Sequence, residues 1–165
     1  MKVINILNNT DKAVFSFELV PPLKGGDINK IYEAIEPLIA LAPPFINITF
    51  HRDEVVYREY PDGTIKKVTV TKRPGSVALA AAIMRRYNVD MVPHIVCGGA
   101  TRHKIENELI DLNFLDIENV MALRGDPIPG ERFFTPEEGG HQYSCELVAQ
   151  ITRMNHGQYL DDMLS

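Results

Sequence analysis

Residues 15–22, FSFELVPP, form a short apolar run that one glutamate interrupts and two prolines close. A buried strand of a parallel sheet has this composition, and prolines commonly mark where such a strand ends. Three further short apolar runs also carry polar residues within them or at their ends: INITFH at 46–51, VPHIVCGG at 92–99 and ALRGDP at 122–127. Longer segments with apolar residues at helical spacing separate them. This alternation predicts βα units around a parallel sheet.

Four such units can be counted. The predicted strands cover residues 13–19, 45–49, 91–97 and 120–123. Asp27 is the predicted N-cap of the first helix, and Pro37 is expected to kink that helix or end it early. The second helix is predicted to begin near Ser76, Thr101 to cap the third, and the fourth to cover residues 143–154.

The number of units suggests a barrel that is only partly represented. A TIM-type (βα)8 barrel takes roughly 250 residues, whereas this chain has 165. We therefore expect an α/β fold that corresponds to a (βα)8 TIM-type barrel truncated to about its first four units, in one partial domain over residues 1–165. Within residues 54–71, two β-type runs flank Pro61-Asp62-Gly63, which predicts a hairpin inserted after the second strand.

Charge and cysteine content limit the class of partner. The net charge is −5, and no basic block is longer than a pair such as Lys72-Arg73, so the chain lacks the footprint for a nucleic acid or an anionic membrane. No apolar stretch approaches the length of a membrane span. Cys97 and Cys145 lack metal-ligand spacing, which predicts no metal site and reduced, cytoplasmic thiols. The expected partners are small molecules.

Polar residues that end the apolar runs are the candidates for chemistry, because active sites of βα barrels lie at the carboxyl ends of the strands. These residues are Glu18, Thr49, His94 and Arg124-Gly125-Asp126. Desolvation at the mouth of a barrel can raise the pKa of Glu18 until it serves as a general acid. Gly125 lets the backbone approach a ligand closely, while Arg124 and Asp126 offer a phosphate clamp and a hydrogen-bond acceptor.

Each candidate has a structural alternative that the residues alone leave open. For Glu18 it is an ion pair with a Lys or Arg such as Arg124, and for His94 a hydrogen-bonded place in the core. For Arg124-Gly125-Asp126 it is a tight turn held by an Arg–Asp pair. Thr49 alone says little, because Thr is common in strands.

Taken together, these motifs resemble those of the methylenetetrahydrofolate reductase family, in the same order and at similar separations. FSFELVPP resembles the family's first strand, INITF its second, PHIVC its third and ALRGDP its fourth. The resemblance runs from about Val14 to the end of the chain, whereas the family's barrel continues through four more strands. It fails at residues 50–53, where the family commonly has a Gly-rich loop.

The resemblance implies a role for each matched residue. Glu18 matches the general acid that protonates the folate, and Asp126 matches a residue that lies close to the folate and tunes the flavin. The implied contacts with FAD are Thr49, His94, Arg124, Gly125, Asp126, Tyr143 and Ser144. For Tyr143 and Ser144 the alternative is an ordinary helix start with Ser144 as the N-cap.

The implied activity is the flavin-dependent reduction of 5,10-methylenetetrahydrofolate to 5-methyltetrahydrofolate with NADH or NADPH, in one-carbon and methionine metabolism. The implied protein is cytoplasmic and a homo-oligomer. Two alternatives remain at this stage. One is a catalytically silent half-barrel, and the other is a barrel that binds a pterin or a phosphate without a flavin.

Overall fold

The computed structural model describes residues 1–128 and 131–161; the last residues of the predicted domain, 162–165, lie outside this part of the chain. The described residues form an α/β fold built on a parallel sheet. In chain order the elements are α1 (Val3–Asn8), β1 (Phe17–Leu19), α2 (Ile28–Ile39), β2 (Phe45–Ile48), β3 (Glu54–Glu59), β4 (Ile65–Val70), α3 (Ser76–Tyr87), β5 (Asp90–Val96), α4 (Arg102–Phe114), β6 (Met121–Leu123) and α5 (Ser144–Asn155).

The parallel sheet has the strand order β1-β2-β5-β6, which follows the order in the chain. Crossovers between parallel strands are almost always right-handed, so strands added in sequence place their helices on one face of the sheet. Apolar residues from α2, α3, α4 and α5 accordingly share one core with the strands. This singly wound arrangement is consistent with part of a TIM-type barrel.

Side-chain alternation divides each strand between two faces. Ile46, Ile48, Met91 and Ile95 belong to the core shared with the helices. Glu18 pairs in register with Asn47, between Ile46 and Ile48, so both polar residues belong to the opposite face. The candidate site is therefore built on the face of the sheet that would line the inside of a barrel.

Residues 54–70 form a separate two-stranded antiparallel sheet of β3 and β4. The first residue pair is Glu54 with Val70, and the last is Glu59 with Ile65. The connecting turn is held by Asp62, whose carboxylate accepts hydrogen bonds from the amide and the hydroxyl of Thr64 at 3.0 and 2.6 Å. Gly63 has a φ of +77°, which explains the glycine at this position.

The two N-cap residues predicted for α2 and α4 are confirmed. Asp27 accepts a hydrogen bond from the amide of Asn29 at 2.9 Å, and Thr101 accepts one from the amide of Lys104 at 3.2 Å. Helix α3 begins at Ser76. Pro37 lies in the last turn of α2, which ends two residues later at Ile39.

Two features of the fold differ from the prediction. The first strand begins at Phe17 and not at residue 13, because Phe17 pairs with Ile46 and β2 extends only one residue further back, to Phe45. Helix α1 was not predicted. Its first amide, that of Val3, donates to the side chain of Asn119 at 2.8 Å, a contact between residues 116 positions apart that no local pattern reveals.

Candidate active site

The candidate site centres on a contact between Glu18 and His94. Glu18 Oε2 lies 3.7 Å from His94 Nε2, although β2 separates β1 from β5 in the sheet. Adjacent strands are about 4.8 Å apart, so the backbones of β1 and β5 are separated by about 10 Å. The contact therefore forms because both long side chains reach over β2.

The two partners have very different environments. The side chain of Glu18 is 57% exposed and that of His94 only 7%. Burial lowers the pKa of His94 below the ordinary value of 6.5, and the charge of Glu18 offsets part of that shift. Near neutral pH the site therefore presents a neutral imidazole beside a solvent-accessible carboxylate. Among the described residues Nε2 of His94 has no hydrogen-bond partner.

Asn47 lies on the same face and was missed by the sequence analysis. Its Nδ2 donates weakly to Ser16 Oγ at 3.3 Å and to the Phe17 carbonyl at 3.5 Å. Its Oδ1 is buried and has no partner within the part of the chain that the structure describes. A polar amide inside an apolar strand was the available signal, because Asn is disfavoured in strands.

Thr49 follows β2 at the carboxyl edge. Its amide and its hydroxyl both donate to the Leu19 carbonyl, at 3.0 and 3.3 Å. The hydroxyl also lies 3.2 Å from Nε2 of His51. Burial and the nearby charge of Arg73 lower the pKa of His51. Thr49 thus joins the end of β1 to the loop that leads into the hairpin.

The Arg124-Gly125-Asp126 segment ends β6 beside the glycine pair that follows β5. The Gly98 amide donates to the Arg124 carbonyl at 3.1 Å. Gly125 has a φ of +86°, and a Cβ placed there would lie 2.5 Å from Cγ1 of Val96. Both the conformation and the space therefore require glycine at position 125.

Arg124 and Asp126, which flank Gly125, do not form the ion pair that was considered as a structural alternative for this turn. Arg124 places its guanidinium 5.4 Å from the ring centre of Phe134. Arg124 and Asp126 are both exposed. Within residues 1–128 and 131–161, neither Asp126 nor Glu18 forms a salt bridge with Arg124. Asp126 thus leaves a carboxylate available at the carboxyl edge of the sheet.

Tyr143 and Ser144 lie at the start of α5, which follows β6, and so also belong to the carboxyl edge. The structural alternative, an N-cap at Ser144, is wrong, because Tyr143 occupies that position and Ser144 is the first helical residue. Glu146 supplies the cap instead, since its Oε2 accepts from the amides of Gln142 and Tyr143 at 2.7 and 3.2 Å. The structure shows no hydrogen bond from Tyr143 or Ser144 to Glu18 or His94.

A buried pair fixes the start of α5. His141 Nε2 lies 2.6 Å from Gln150 Oε1, and Gln150 Nε2 donates to the Arg102 carbonyl at 3.0 Å. His141 is 2% exposed and Gln150 is 1% exposed. The amide of Gln150 thereby ties α5 to the first residue of α4.

The arrangement places a group able to transfer a proton beside polar side chains on one face of the sheet. Glu18 is accessible to a ligand, and a carboxyl group can donate or accept a proton. The unpartnered polar atoms of His94 and Asn47 are suited to hydrogen-bond a heteroaromatic ring. Buried polar groups normally have a hydrogen-bond partner. A bound flavin would supply partners for these two atoms, so the residues present fit this cofactor.

Neither a metal centre nor a membrane-spanning helix is present among the described residues. No group of three or more His, Cys, Asp or Glu side chains within them is placed to hold a metal ion. No helix in that part of the chain is long and apolar enough to cross a membrane.

Comparison with known proteins gave consistent matches. Residues 2–164 match the family model described as methylenetetrahydrofolate reductase. The chain is 27% identical over 162 residues to methylenetetrahydrofolate reductase (NADH) 1 of Arabidopsis thaliana, covering 96% of this chain and 24% of that protein. It is 24% identical over 138 residues to the 5,10-methylenetetrahydrofolate reductase of Pectobacterium carotovorum subsp. carotovorum, covering 82% of this chain and 38% of that protein. The chain thus spans about a quarter of the plant relative's length and under two fifths of the bacterial one's.

Proposed function

The chain belongs to the methylenetetrahydrofolate reductase family, and we propose that its activity is the reduction of 5,10-methylenetetrahydrofolate to 5-methyltetrahydrofolate. The proposed reductant is NADH or NADPH, acting through FAD. The two relatives described above are named as methylenetetrahydrofolate reductases, and the name of the plant protein includes NADH. The reaction belongs to one-carbon metabolism, and we place it in methionine synthesis in the cytoplasm.

The observation that carries the proposal is the placement of Glu18. Its carboxyl group lies on the face of the parallel sheet opposite the core, more than half exposed, and 3.7 Å from the imidazole of His94. A folate bound against this face would take its proton from Glu18, which opens the methylene bridge to an iminium at N5. Burial lowers the pKa of His94, so near neutral pH the imidazole carries no charge to form an ion pair with Glu18. A carboxyl group in this position can donate a proton to a bound ligand.

The same part of the sheet offers the residues that would hold the flavin. Bound FAD would supply the hydride chemistry between nicotinamide and folate. We assign contacts with FAD to Thr49, His94, Arg124, Gly125, Asp126, Tyr143 and Ser144. Asp126 is assigned a second role at the folate. The buried, unpartnered Nε2 of His94 and the close backbone packing at Gly125 support these assignments.

We further propose that residues 1–165 form a single partial (βα)8 domain and that the protein works as a homo-oligomer. The support for the partial domain is the singly wound sheet, whose strand order β1-β2-β5-β6 follows the chain. A catalytically silent half-barrel remains the alternative reading of the same geometry.

The proposal is tested by reconstitution. The purified protein is mixed anaerobically with FAD, NADH or NADPH, and 5,10-methylenetetrahydrofolate, and 5-methyltetrahydrofolate is measured by chromatography. We expect product only when all three are present, and a yellow protein after gel filtration. A colourless protein that binds folate without FAD would favour the barrel without flavin. A protein that binds neither would favour the silent half-barrel.

A further inference from the structure

A cleft opens beside the candidate site, between the loop that follows β1 and the hairpin formed by β3 and β4. Its volume is about 690 Å³, and residues 22–26 line one side while β4 and the segment after it line the other. Three basic residues, Lys24, Arg58 and Arg73, line this cleft, and no acidic residue does. The whole chain carries a net charge of −5, so the cleft has the opposite sign to its surroundings.

The three cations have no acidic partners in the part of the chain that the structure describes. The hairpin's ion pair joins Lys72 to Glu54 at 2.5 Å, and neither residue lines the cleft. Lys24 and Arg58 are exposed, whereas Arg73 is half-buried. A half-buried guanidinium without a carboxylate is unusual, because Arg presents five donors that match carboxylate and phosphate oxygens.

Arg73 connects the cleft to the candidate site. One of its nitrogens donates to the Pro21 carbonyl, at the end of β1. Its charge contributes to the lowered pKa of His51, and His51 in turn contacts the hydroxyl of Thr49. A ligand seated against Glu18 and Thr49 could therefore extend a charged group into the cleft.

The backbone of the cleft is already arranged. The Lys24 amide donates to the Lys72 carbonyl at 2.7 Å, which ties the loop after β1 to the segment after the hairpin. Gly25 has a φ of +82°, and a Cβ at Gly26 would lie 2.9 Å from the Leu23 carbonyl oxygen. The loop therefore requires glycine at both positions to bring Lys24 to the cleft.

We propose that this cleft binds the multiply charged anionic end of a ligand whose ring system occupies the neighbouring site. The chemistry recognised is a cluster of carboxylate or phosphate oxygens. Two sources fit, and both rest on the proposed function: the glutamate carboxylates that a folate carries, and the diphosphate of a dinucleotide. The spread of three cations along the cleft suits an extended anion better than a single charge.

The test is a titration of the protein with two probes, a γ-linked triglutamate peptide and inorganic pyrophosphate, followed by NMR of the Gly25 and Gly26 amides. We expect at least one probe to shift these amides, with binding that weakens as salt is raised. Arg73→Gln and Arg58→Gln should each weaken it by about tenfold, the typical effect of losing one charge-assisted contact. Lys67→Gln is the matched control, because Lys67 is exposed on the hairpin and lies outside the cleft.

Each outcome decides the matter. Triglutamate binding alone identifies the folate tail, and pyrophosphate binding alone identifies the dinucleotide. Failure of both probes, or equal weakening by Lys67→Gln, overturns the proposal. Arg58 is exposed, so Arg58→Gln keeps the test valid if loss of the Arg73 contact with Pro21 unfolds the chain. A protein that binds a probe here yet never binds folate or FAD would overturn the proposed function and leave the cleft intact.

Discussion

The carboxylate of Glu18 meets the imidazole of His94 across an intervening strand, with 3.7 Å between Oε2 and Nε2. Both side chains reach over β2, and the contact couples an accessible carboxylate to a buried, neutral ring. The pKa of the His94 imidazole therefore depends on the charge of Glu18.

The first prediction concerns that coupling. Burial lowers the pKa of His94 and Glu18 raises it, so Glu18→Gln should lower it further. The measurement is an NMR titration of the imidazole nitrogens. His51 is the internal control, because burial and Arg73, not Glu18, set its shift. An unchanged or higher pKa for His94 in the variant would show that the two groups are not coupled.

The same shift predicts a pH dependence of stability. Below the ordinary value of 6.5 the unfolded chain binds a proton at this histidine more readily than the folded chain does. The free energy of unfolding should therefore fall as the pH drops below about 6.5, and His94→Gln should flatten that slope. Urea unfolding at a series of pH values measures it. If the free energy of unfolding depended on pH equally in the variant, groups other than His94 would be responsible. His51, whose pKa is also lowered, would be the first of these to test.

The third prediction concerns the turn at Gly125. Gly125→Ala combines a left-handed backbone with a Cβ only 2.5 Å from Val96, so we expect a loss of about 3 kcal/mol in the free energy of unfolding. Gly63→Ala is the matched control, since its φ is +77° but nothing lies within 4 Å of the added Cβ. It should cost only about 1 kcal/mol. Equal losses in the two variants would mean that the packing against Val96 is not tight.

Sequence patterns predicted the parts of this fold that local chemistry determines. Asp27 and Thr101 are recognisable caps because the residues that they bond lie two and three positions away. Glu18 and His94 were recognisable as polar residues within apolar runs, although the structure places each inside its strand and not at the end. Their contact depends on the order of the strands in the sheet, which brings β1 and β5 to either side of β2. The pairing of β1 with β2, which limits β1 to Phe17–Leu19, also depends on distant residues.

The basic cleft was not predicted, because the residues that form it are distant from one another in the sequence. Lys24, Arg58 and Arg73 come from three separate segments, and the net charge of −5 argues against an anion site when the sequence is read as a whole. The buried Gln150 was likewise inconspicuous, because its partners His141 and Arg102 come from other parts of the chain.

The fourth prediction concerns Asp126. Its carboxylate follows Gly125 at the end of β6 and is exposed. If it faces the flavin as proposed, its negative charge disfavours the reduced anionic flavin, so Asp126→Asn should raise the midpoint potential and slow folate turnover. A redox titration of both proteins measures the potential. A potential that stays the same or falls would exclude this electrostatic role.

The central claim is that Glu18 supplies the proton for folate reduction, and the most direct test separates the two half-reactions of Glu18→Gln by anaerobic stopped flow. Flavin reduction by NADH or NADPH needs no proton from this residue, so its rate should stay within about twofold of the original. Transfer from reduced flavin to 5,10-methylenetetrahydrofolate should slow by about 10² or more, the usual effect of removing a general acid. A near-normal rate of folate reduction in this variant would contradict the account.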